Sequence, residues 1–187
     1  MSLLAFAGRR VNISCSPLGE VNRFMKGADG NMERTLIILK PDAIQRKLTG
    51  RILTRFEEKG FQVVAMKLMQ VTPALAEKHY AVHKGKPFYD RLLCYITSNP
   101  VVVMVLQAVN GIAVARKMMG ATFGSKAEPG TIRGDFGLSN SFNLIHGSDS
   151  PEAAEFEIGL YFKPEELLRY ECSVQKWIYD TSAGTAE

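Results

Sequence analysis

The stretch Arg34-Thr-Leu-Ile-Ile-Leu-Lys-Pro41 decides the fold, because it contains the first strand and the signal that ends it. Its apolar and β-branched residues favour a buried strand, and the proline ends it because proline cannot donate to a ladder. A helix follows, with apolar residues at four-residue steps: Ile44, Leu48, Ile52 and Phe56. Gly60 is a natural C-terminal stop for this helix. The regular structure therefore begins as a strand followed by a helix.

The rest of the chain continues this alternation. Strands are predicted at residues 61–71, 101–106 and 143–145, and helices at 72–80, 88–98, 112–119 and from 151 onward. Residues 120–135 are predicted to form a long, glycine-punctuated loop. Strand, helix, strand, helices, strand, helix, strand is the order of a split βαβ repeat. We therefore expect an α+β, ferredoxin-like sandwich: a four-stranded antiparallel sheet with helices on one face.

Size and composition restrict the class of protein. The 187 residues suffice for one domain with an appendage, and 46% apolar and 22% charged content is ordinary for a globular chain. A net charge of +4 fits a small anionic substrate and requires neither nucleic acid nor a membrane surface. The cysteines at positions 15, 94 and 172 are far apart. Their spacing argues against a disulfide framework or a thiolate metal site and favours a reducing compartment.

An uncharged segment at residues 92–115 is long enough to raise the question of a membrane span. Thr97-Ser98-Asn99-Pro100 and Asn110-Gly111 interrupt this segment with turn-forming residues. We therefore interpret it as a helix, a buried strand and a second helix, and we expect no membrane span.

Three regions divide the chain: a leader at residues 1–31, a domain at 32–180 and a flexible tail at 181–187. The leader has no sustained periodicity and is rich in basic but poor in acidic residues, so we expect it to be disordered. It is an organelle transit peptide, an extension from an upstream start or a cloning remnant. The expected location is cytoplasmic, with a mitochondrion or plastid as the alternative if the leader is a transit peptide.

The stretch Asn143-Leu-Ile-His146-Gly-Ser-Asp-Ser150 contains the candidate nucleophile. Histidine is largely neutral near neutral pH, so its imidazole can attack an electrophile. A lone buried histidine is more often structural, and taken alone His146 leaves that interpretation open. Residue types that hold phosphate groups lie upstream, however, and favour a catalytic role: Lys40, Arg116, Thr122 and Arg133.

The helix after Ser150-Pro151 carries a candidate partner for His146. Serine followed by proline is typical of a helix start. The apolar stripe of this helix comprises Ala154, Ile158 and Tyr161. At about 100° per residue, Glu157 lies roughly 60° from the centre of that stripe, so we expect its carboxylate to be half-buried beside the site.

Two other motifs carry weaker signals. His79 and His83 stand one helical turn apart, which is compatible with a zinc pair, but no third ligand is evident and a helix surface facing a cleft is the better interpretation. The tripeptide at 133–135 matches an integrin-type motif by chance, since Arg133 suits a phosphate better. Neither the glycine-rich P-loop nor the dinucleotide fingerprint occurs, so side chains must hold any nucleotide.

From Met32 to Asp180 the chain resembles the nucleoside diphosphate kinases. The segments that match keep the family's order and spacing: Glu33-Arg-Thr-Leu-Ile-Ile-Leu-Lys-Pro-Asp42, His79-Tyr80, Lys86-Pro-Phe88, Pro129-Gly-Thr-Ile-Arg-Gly-Asp135, the stretch at 143–150 and Trp177-Ile-Tyr-Asp180. The resemblance implies transfer of the terminal phosphoryl group from a nucleoside triphosphate, typically ATP, to a nucleoside diphosphate. It implies a ping-pong mechanism through a phosphohistidine.

The resemblance also assigns roles to individual residues. His146 would be the nucleophile and form a pros-phosphohistidine, with Glu157 orienting its ring and Ser148 and Tyr80 completing its surroundings. Six residues would contact the nucleotide: Lys40 and Asn143 at the ribose hydroxyls and the nucleophile region, Phe88 at the base, and Arg116, Thr122 and Arg133 at the phosphates. Because the base is only stacked, low selectivity for base and sugar is expected.

The cofactor and the assembly follow from the same resemblance. It implies Mg²⁺, held mainly by the nucleotide phosphates and not by side chains. It also implies a homohexamer, with a homotetramer as the alternative, and the large apolar residues at 177–179 are suited to a subunit contact.

Two alternative functions are compatible with the same residues. A regulatory module on this fold would use the basic cleft for nucleic acid or a protein partner, although phosphoryl transfer does not require nucleic acid. A protein kinase that acts through the same phosphohistidine would differ only in its acceptor.

Overall fold

A computed structural model describes residues 32–180 and Ser182. The predicted leader and all but one residue of the predicted tail lie outside the described residues. The described strands are β1 (Met32–Leu39), β2 (Gln62–Met69), β3 (Val101–Val109) and β4 (Ile145–Gly147). They form one antiparallel sheet in the order β2-β3-β1-β4.

Strand β1 is the centre of the sheet. It pairs over its whole length with β3 and, at its C-terminal end, over three residues with β4. Residues 36–39 of this strand are fully buried. Their uninterrupted apolar character is what a strand needs when it has a neighbour on each edge and protein on each face.

Seven α-helices surround the sheet in the part of the chain that the structure describes. They are α1 (Pro41–Gln45), α2 (Thr49–Glu58), α3 (Pro73–His79), α4 (Tyr89–Thr97), α5 (Gly111–Met119), α6 (Ile132–Phe136) and α7 (Pro151–Tyr161). Helices α3 and α7 begin as predicted, because the hydroxyl oxygens of Thr72 and Ser150 accept hydrogen bonds from backbone N–H groups in the first turn.

The helices pack on both faces of the sheet. Ile37 and Leu39 lie on one face, in a core with α2 and α5, the two crossover helices of the split βαβ repeat. Leu36 and Ile38 lie on the other face, with α3, α4 and α7. The α+β, ferredoxin-like class with a four-stranded antiparallel sheet is confirmed. The predicted restriction of the helices to one face is wrong, because β1 and β3 are apolar on both faces and the second face is also covered.

Three local predictions need correction. The helix predicted between the first two strands is two helices, α1 and α2, and between them Lys47 adopts a left-handed φ of 56°. The predicted loop at 120–135 contains most of α6, which starts where the Thr131 hydroxyl accepts a hydrogen bond from Gly134 N. The last strand is β4 and not residues 143–145, so His146 lies inside the ladder and not at its end.

The uncharged segment at 92–115 folds as predicted, into most of α4, all of β3 and the start of α5. Every helix among the described residues falls short of the length and apolar character that a bilayer crossing needs.

Candidate active site

His146 occupies the middle of β4 and lies opposite Ile38 of β1. Opposite residues of an antiparallel pair share a face, so the imidazole lies on the face that carries α3 and α7. Gly147 follows on the other face, where a Cβ would lie 2.7 Å from Met119 Sδ and 3.0 Å from Ile37 Cδ1. Any larger residue there would force the side chains of Met119 and Ile37 to shift. The alternation of His146 and Gly147 therefore directs the imidazole toward α3 and α7 and lets β4 lie close to Met119 of α5.

Glu157 of α7 reaches back to the imidazole. Its Oε2 lies 2.9 Å from His146 Nε2 and accepts a 2.6 Å hydrogen bond from Ser148 Oγ. Ser148 in turn accepts a hydrogen bond from Leu36 N of β1, which ties this pair to the central strand. Glu157 is 9% exposed, more deeply buried than the helix phase predicts.

The protonation state of this pair follows from its contacts. Burial raises the pKa of the Glu157 carboxyl, but the hydrogen bonds from His146 and Ser148 outweigh burial, and the pKa lies below its usual value. The ionised carboxylate therefore accepts a hydrogen bond from His146 Nε2, which carries the proton. A neutral imidazole carries one proton, so Nδ1 retains its lone pair. Nδ1, the pros nitrogen, is therefore the ring nitrogen whose lone pair stays free.

A second imidazole, that of His79 at the end of α3, packs against the first. The two ring centroids are 4.6 Å apart in an edge-to-face arrangement, and His79 Nε2 lies 4.0 Å from Glu157 Oε1. Neither ring nitrogen of His79 has a hydrogen-bond partner among the described residues. Burial, followed by the charge of His146, lowers the pKa of His79 to about 3, so this ring is neutral. We refer to His79, His146, Ser148 and Glu157 as the histidine cluster.

His79 and His83, one helical turn apart in the sequence, have different surroundings in the structure. His83 lies in the 3₁₀ turn Ala81–His83, where its Nδ1 is 3.1 Å from Lys86 Nζ and its ring is 5.6 Å from that of Phe88. The side chains that converge on His79 are instead His146 and Glu157. Helix α3 ends at His79, so the four-residue spacing does not place the two side chains on one face of an α-helix.

Aromatic rings connect the histidine cluster to the predicted base site. The Tyr80 ring lies 6.4 Å from that of His146 and 6.3 Å from that of His83, which in turn meets Phe88. The Tyr80 hydroxyl is buried without a hydrogen-bond partner among the described residues, so Tyr80 borders His146 through its ring. Phe88 is 42% exposed just before α4, which leaves its ring available for stacking.

Hydrogen bonds link Lys40, Asn143 and Thr122 just before the start of β4. Lys40 Nζ donates to Asn143 Oδ1 at 2.6 Å, and Asn143 Nδ2 donates to the Thr122 carbonyl oxygen at 3.0 Å. Lys40 is buried, and this burial together with the charge of Arg133 lowers the pKa of its ammonium group to about 8. The Thr122 side chain is exposed.

Arg133 is the most deeply embedded cation. It donates to the carbonyl oxygens of Asn143 at 3.1 Å, Gly120 at 2.8 Å and Ile145 at 2.7 Å. Burial, followed by the charge of Arg116, lowers the pKa of Arg133 to about 10. Arg116 is exposed and donates to the Gly147 carbonyl oxygen at 3.2 Å.

We refer to Lys40, Arg116 and Arg133 as the cationic cluster. Ion pairs among the described residues occur elsewhere, at Arg55–Asp135, at Lys67–Glu166 and between Glu157 and the two histidines. The cationic cluster thus forms no ion pair in the part of the chain that the structure describes, although the charge of Asp42 partly opposes the lowering of the Lys40 pKa. Its hydrogen bonds go to carbonyl and amide oxygens, which leaves its positive charge available to an anion.

A carboxylate outside both clusters holds the turn before β4. Leu144 has a left-handed φ of 68°, and its N–H donates to Asp42 Oδ2 at 3.1 Å. Asp42 Oδ1 accepts a hydrogen bond from the Tyr95 hydroxyl. Lys40 N donates to the Leu144 carbonyl oxygen at 2.8 Å, which joins the end of β1 to the same turn. All of these Asp42 contacts are to the protein, so the carboxylate has a structural role in this turn.

The whole domain can now be compared with known proteins. The family model described as nucleoside diphosphate kinase matches residues 33–167. The chain is 58% identical over 149 residues to the nucleoside diphosphate kinase of Roseiflexus castenholzii, an alignment that covers 80% of this chain and 100% of the relative. The chain belongs to the nucleoside diphosphate kinase family.

Other family members agree in sequence and in structure. The nucleoside diphosphate kinase of Thermococcus kodakarensis is 57% identical over 159 residues, covering 83% of this chain and 91% of that one. A solved structure of the Halobacterium salinarum nucleoside diphosphate kinase in complex with CDP superposes with a TM-score of 0.78 at 45% identity, covering 79% of this chain and 99% of that one. The fold of this domain is therefore that of its family.

Within the family's fold, two residues near the site escaped the sequence analysis. His79 was considered only as a partner of His83, although its ring meets that of His146. Tyr95 was assigned only to a helix, although its hydroxyl donates to Asp42. The His79-x-x-x-His83 pattern was a signal for the first. For the second, no local pattern reveals a contact between residues 53 positions apart.

Proposed function

We propose that the chain transfers the terminal phosphoryl group from a nucleoside triphosphate, typically ATP, to a nucleoside diphosphate through a phosphohistidine at His146. The observation that carries this proposal is the 2.9 Å contact between His146 Nε2 and Glu157 Oε2, on a strand that the cationic cluster borders. Membership of the nucleoside diphosphate kinase family supports the reaction class.

The proposed reaction has two half-reactions. In the first, the Nδ1 lone pair attacks the γ-phosphorus, and the bridging oxygen leaves with its electron pair on the nucleoside diphosphate. The imidazole then carries the phosphoryl group on Nδ1 and its original proton on Nε2, where Glu157 stabilises the positive charge of the ring. In the second, a terminal oxygen of the acceptor diphosphate attacks the phosphorus and Nδ1 recovers its lone pair. The result is ping-pong kinetics.

The proposed nucleotide contacts divide the ligand into three parts. Arg116, Arg133 and Thr122 hold the phosphates. The positive charge of the two arginines stabilises the negative charge that develops during transfer. Lys40 and Asn143 reach the ribose hydroxyls and the region of the nucleophile. Phe88 stacks on the base without reading its edge, so low selectivity for base and sugar follows.

Mg²⁺ is the proposed cofactor. The cationic cluster offers nitrogen-bound hydrogens, which cannot ligate a cation. Mg²⁺ prefers oxygen ligands and keeps several waters, so these residues fit an ion that is held mainly by the nucleotide phosphates. When bound there, Mg²⁺ neutralises phosphate charge, while the chain's own side chains bind and orient the nucleotide.

We further propose a homohexamer, with a homotetramer as the alternative, and a cytoplasmic location, with an organelle as the alternative. Trp177 is 83% exposed and Ile178 is 39% exposed in the single chain, which supports a subunit contact there. Light scattering distinguishes six subunits from four. N-terminal sequencing of the native protein tests whether residues 1–31 are removed as a transit peptide, and spectroscopy of the intact chain tests whether they and the tail at 181–187 are disordered.

The experiment uses γ-labelled ATP. The wild-type protein should acquire an acid-labile, base-stable label, and a nucleoside diphosphate should discharge it. His146→Ala should acquire no label, whereas the matched control His83→Asn should keep both steps. Labelled His146→Ala would overturn the assignment. A label that protein acceptors discharge but diphosphates do not would overturn the proposed reaction.

A further inference from the structure

We propose that His79, His146 and Glu157 form a binding site for a transition-metal ion such as Zn²⁺, and that the bound ion prevents phosphorylation of His146. The metal site stands on the geometry of these three side chains alone. Its inhibitory consequence rests on the proposed role of His146, so the two parts are tested separately.

The three side chains converge closely enough to share one ion. One ligand atom of each lies within 4.8 Å of the ligand atoms of the others. Glu157 lies 2.9 Å from His146 Nε2 through Oε2 and 4.0 Å from His79 Nε2 through Oε1. Tetrahedral zinc with ligands at about 2.1 Å sets those ligands about 3.4 Å apart, between these two distances. The ligand atoms of His79 and His146 lie within 4.8 Å of one another. The two rings would therefore have to approach by up to about 1.4 Å to complete the site.

His79 supplies an independent reason to expect a ligand. Its side chain is 1% exposed, and both ring nitrogens lack a hydrogen-bond partner among the described residues. A buried polar group without a partner is costly, so it is a candidate for an ion or a water that restores its bonding.

The ligand set selects the class of metal. Two imidazoles and one carboxylate are the protein ligands of several catalytic zinc sites, and imidazole suits zinc, cobalt and copper better than magnesium. Ser148 Oγ already donates to Glu157 Oε2 at 2.6 Å and would orient the carboxylate of the complex. Mg²⁺, the proposed cofactor, prefers oxygen ligands and should bind this site more weakly than the softer ions do.

Inhibition follows from the tautomers of His146. In the metal-free site, Nε2 carries the proton and Nδ1 carries the lone pair. A metal on Nε2 takes the Nε2 lone pair, so that nitrogen gives its proton to solvent and Nδ1 takes one up. The ring stays neutral, but Nδ1 now bears a hydrogen and has no lone pair for the γ-phosphorus. The metal also occupies Glu157, which can no longer stabilise the phosphorylated ring.

The binding experiment uses Co²⁺, whose visible absorption reports a tetrahedral site, on the intact chain without nucleotide. We expect one Co²⁺ per chain, displaced by Zn²⁺ and not by Mg²⁺. His79→Phe and His79→Gln should each weaken Co²⁺ binding at least tenfold, whereas the matched control His83→Asn should change it less than twofold. Thermal melts identify which of the two His79 variants is folded. Unchanged binding in a folded His79 variant, or loss of binding in His83→Asn, would overturn the site.

The inhibition experiment loads the protein with Zn²⁺, removes free metal and then adds γ-labelled ATP with Mg²⁺. Wild-type labelling should slow at least tenfold and recover after chelation and buffer exchange. The folded His79 variant should slow less than twofold relative to its own metal-free rate. Full-rate labelling of zinc-loaded wild type would overturn inhibition. Failure of the proposed function is a different result, because metal-free wild type would then acquire no label.

Discussion

The histidine cluster and the cationic cluster border the same short strand, but their charges are satisfied in different ways. In the histidine cluster, one carboxylate accepts hydrogen bonds from His146 and Ser148 and approaches His79. In the cationic cluster, Arg133 and Arg116 donate to backbone carbonyl oxygens and Lys40 donates to an amide. One carboxylate pairs with His146, whereas backbone and amide dipoles hold the cations.

This difference separates two tasks of one site. A carboxylate beside an imidazole fixes its tautomer and its orientation, so the histidine cluster leaves the lone pair of His146 on Nδ1. Carbonyl oxygens orient a guanidinium without cancelling its charge, so the cationic cluster keeps its full attraction for phosphate. Substitutions should therefore affect chemistry in the first cluster, and both stability and binding in the second.

The largest effect is expected from Arg133→Met, which removes donors from three carbonyl oxygens around β4. We expect the free energy of unfolding to fall by about 3 kcal/mol, because each buried acceptor left without a donor costs roughly 1 kcal/mol or more. Urea unfolding measures this loss. Arg116→Met is the matched control and should lose at most about 1 kcal/mol, since Arg116 is exposed. Equal losses would contradict the scaffold role of Arg133.

Glu157→Gln should come next. The amide keeps the shape but cannot stabilise a positive ring, so we expect phosphorylation of His146 to slow about 100-fold, which is about 2.7 kcal/mol in the barrier. Nucleotide affinity should change less than about twofold, because the cationic cluster is intact. Single-turnover labelling and equilibrium binding separate the two quantities. A change in affinity as large as the change in rate would count against an orienting role.

Acid stability tests the buried ring of His79. Between its ordinary pKa of 6.5 and its folded pKa of about 3, the unfolded chain binds more protons at this residue than the folded chain. The free energy of unfolding must therefore fall as pH decreases below 6.5, by up to about 1.4 kcal/mol per pH unit from His79.

His79→Phe should remove this dependence, so that between pH 7 and pH 5 the variant loses about 2 kcal/mol less than wild type in urea unfolding. His83→Asn is the control and should change the pH dependence less, because His83 is more solvated. Parallel curves for wild type and His79→Phe would show that the ring of His79 is not buried as described.

The smallest effect is expected at Phe88, which belongs to neither cluster. Loss of a half-exposed stacking surface costs about 1 kcal/mol, so Phe88→Ala should raise KM roughly fivefold for every base and leave kcat nearly unchanged. Steady-state kinetics with four nucleoside diphosphates provide the measurement. A change confined to one base would mean that Phe88 contributes to base selectivity.

Much of this arrangement could be predicted from local patterns. The position of Glu157 follows from helix phase, and the starts of α3 and α7 follow from Thr72 and Ser150, because each depends on residues within one helical turn. The fully apolar strand at 101–106 already carried the signal for helices on both faces, since a strand buried on one face alternates instead. The prediction of helices on one face instead followed the order of strands and helices, which is that of a split βαβ repeat.

Other features depend on contacts that no local pattern reveals. The break between α1 and α2 at Lys47 lies within an unbroken series of four-residue apolar steps. The role of Asp42 depends on Leu144, 102 positions away. The meeting of His79 with His146 depends on how α3 packs over β4, so the sequence identified both rings without predicting that they touch.

The left-handed turn at Leu144 couples folding to the accuracy of the site. A leucine in that conformation costs about 1 to 2 kcal/mol relative to ordinary backbone, yet its side chain is fully buried. Leu144→Gly would remove the backbone cost but leave a cavity, and Asp42→Ala would leave the turn without its carboxylate. Asn143 precedes this residue by one position and His146 follows it by two. A substitution at position 144 should therefore disturb both the core and the placement of Asn143 and His146, the proposed substrate contact and the proposed nucleophile.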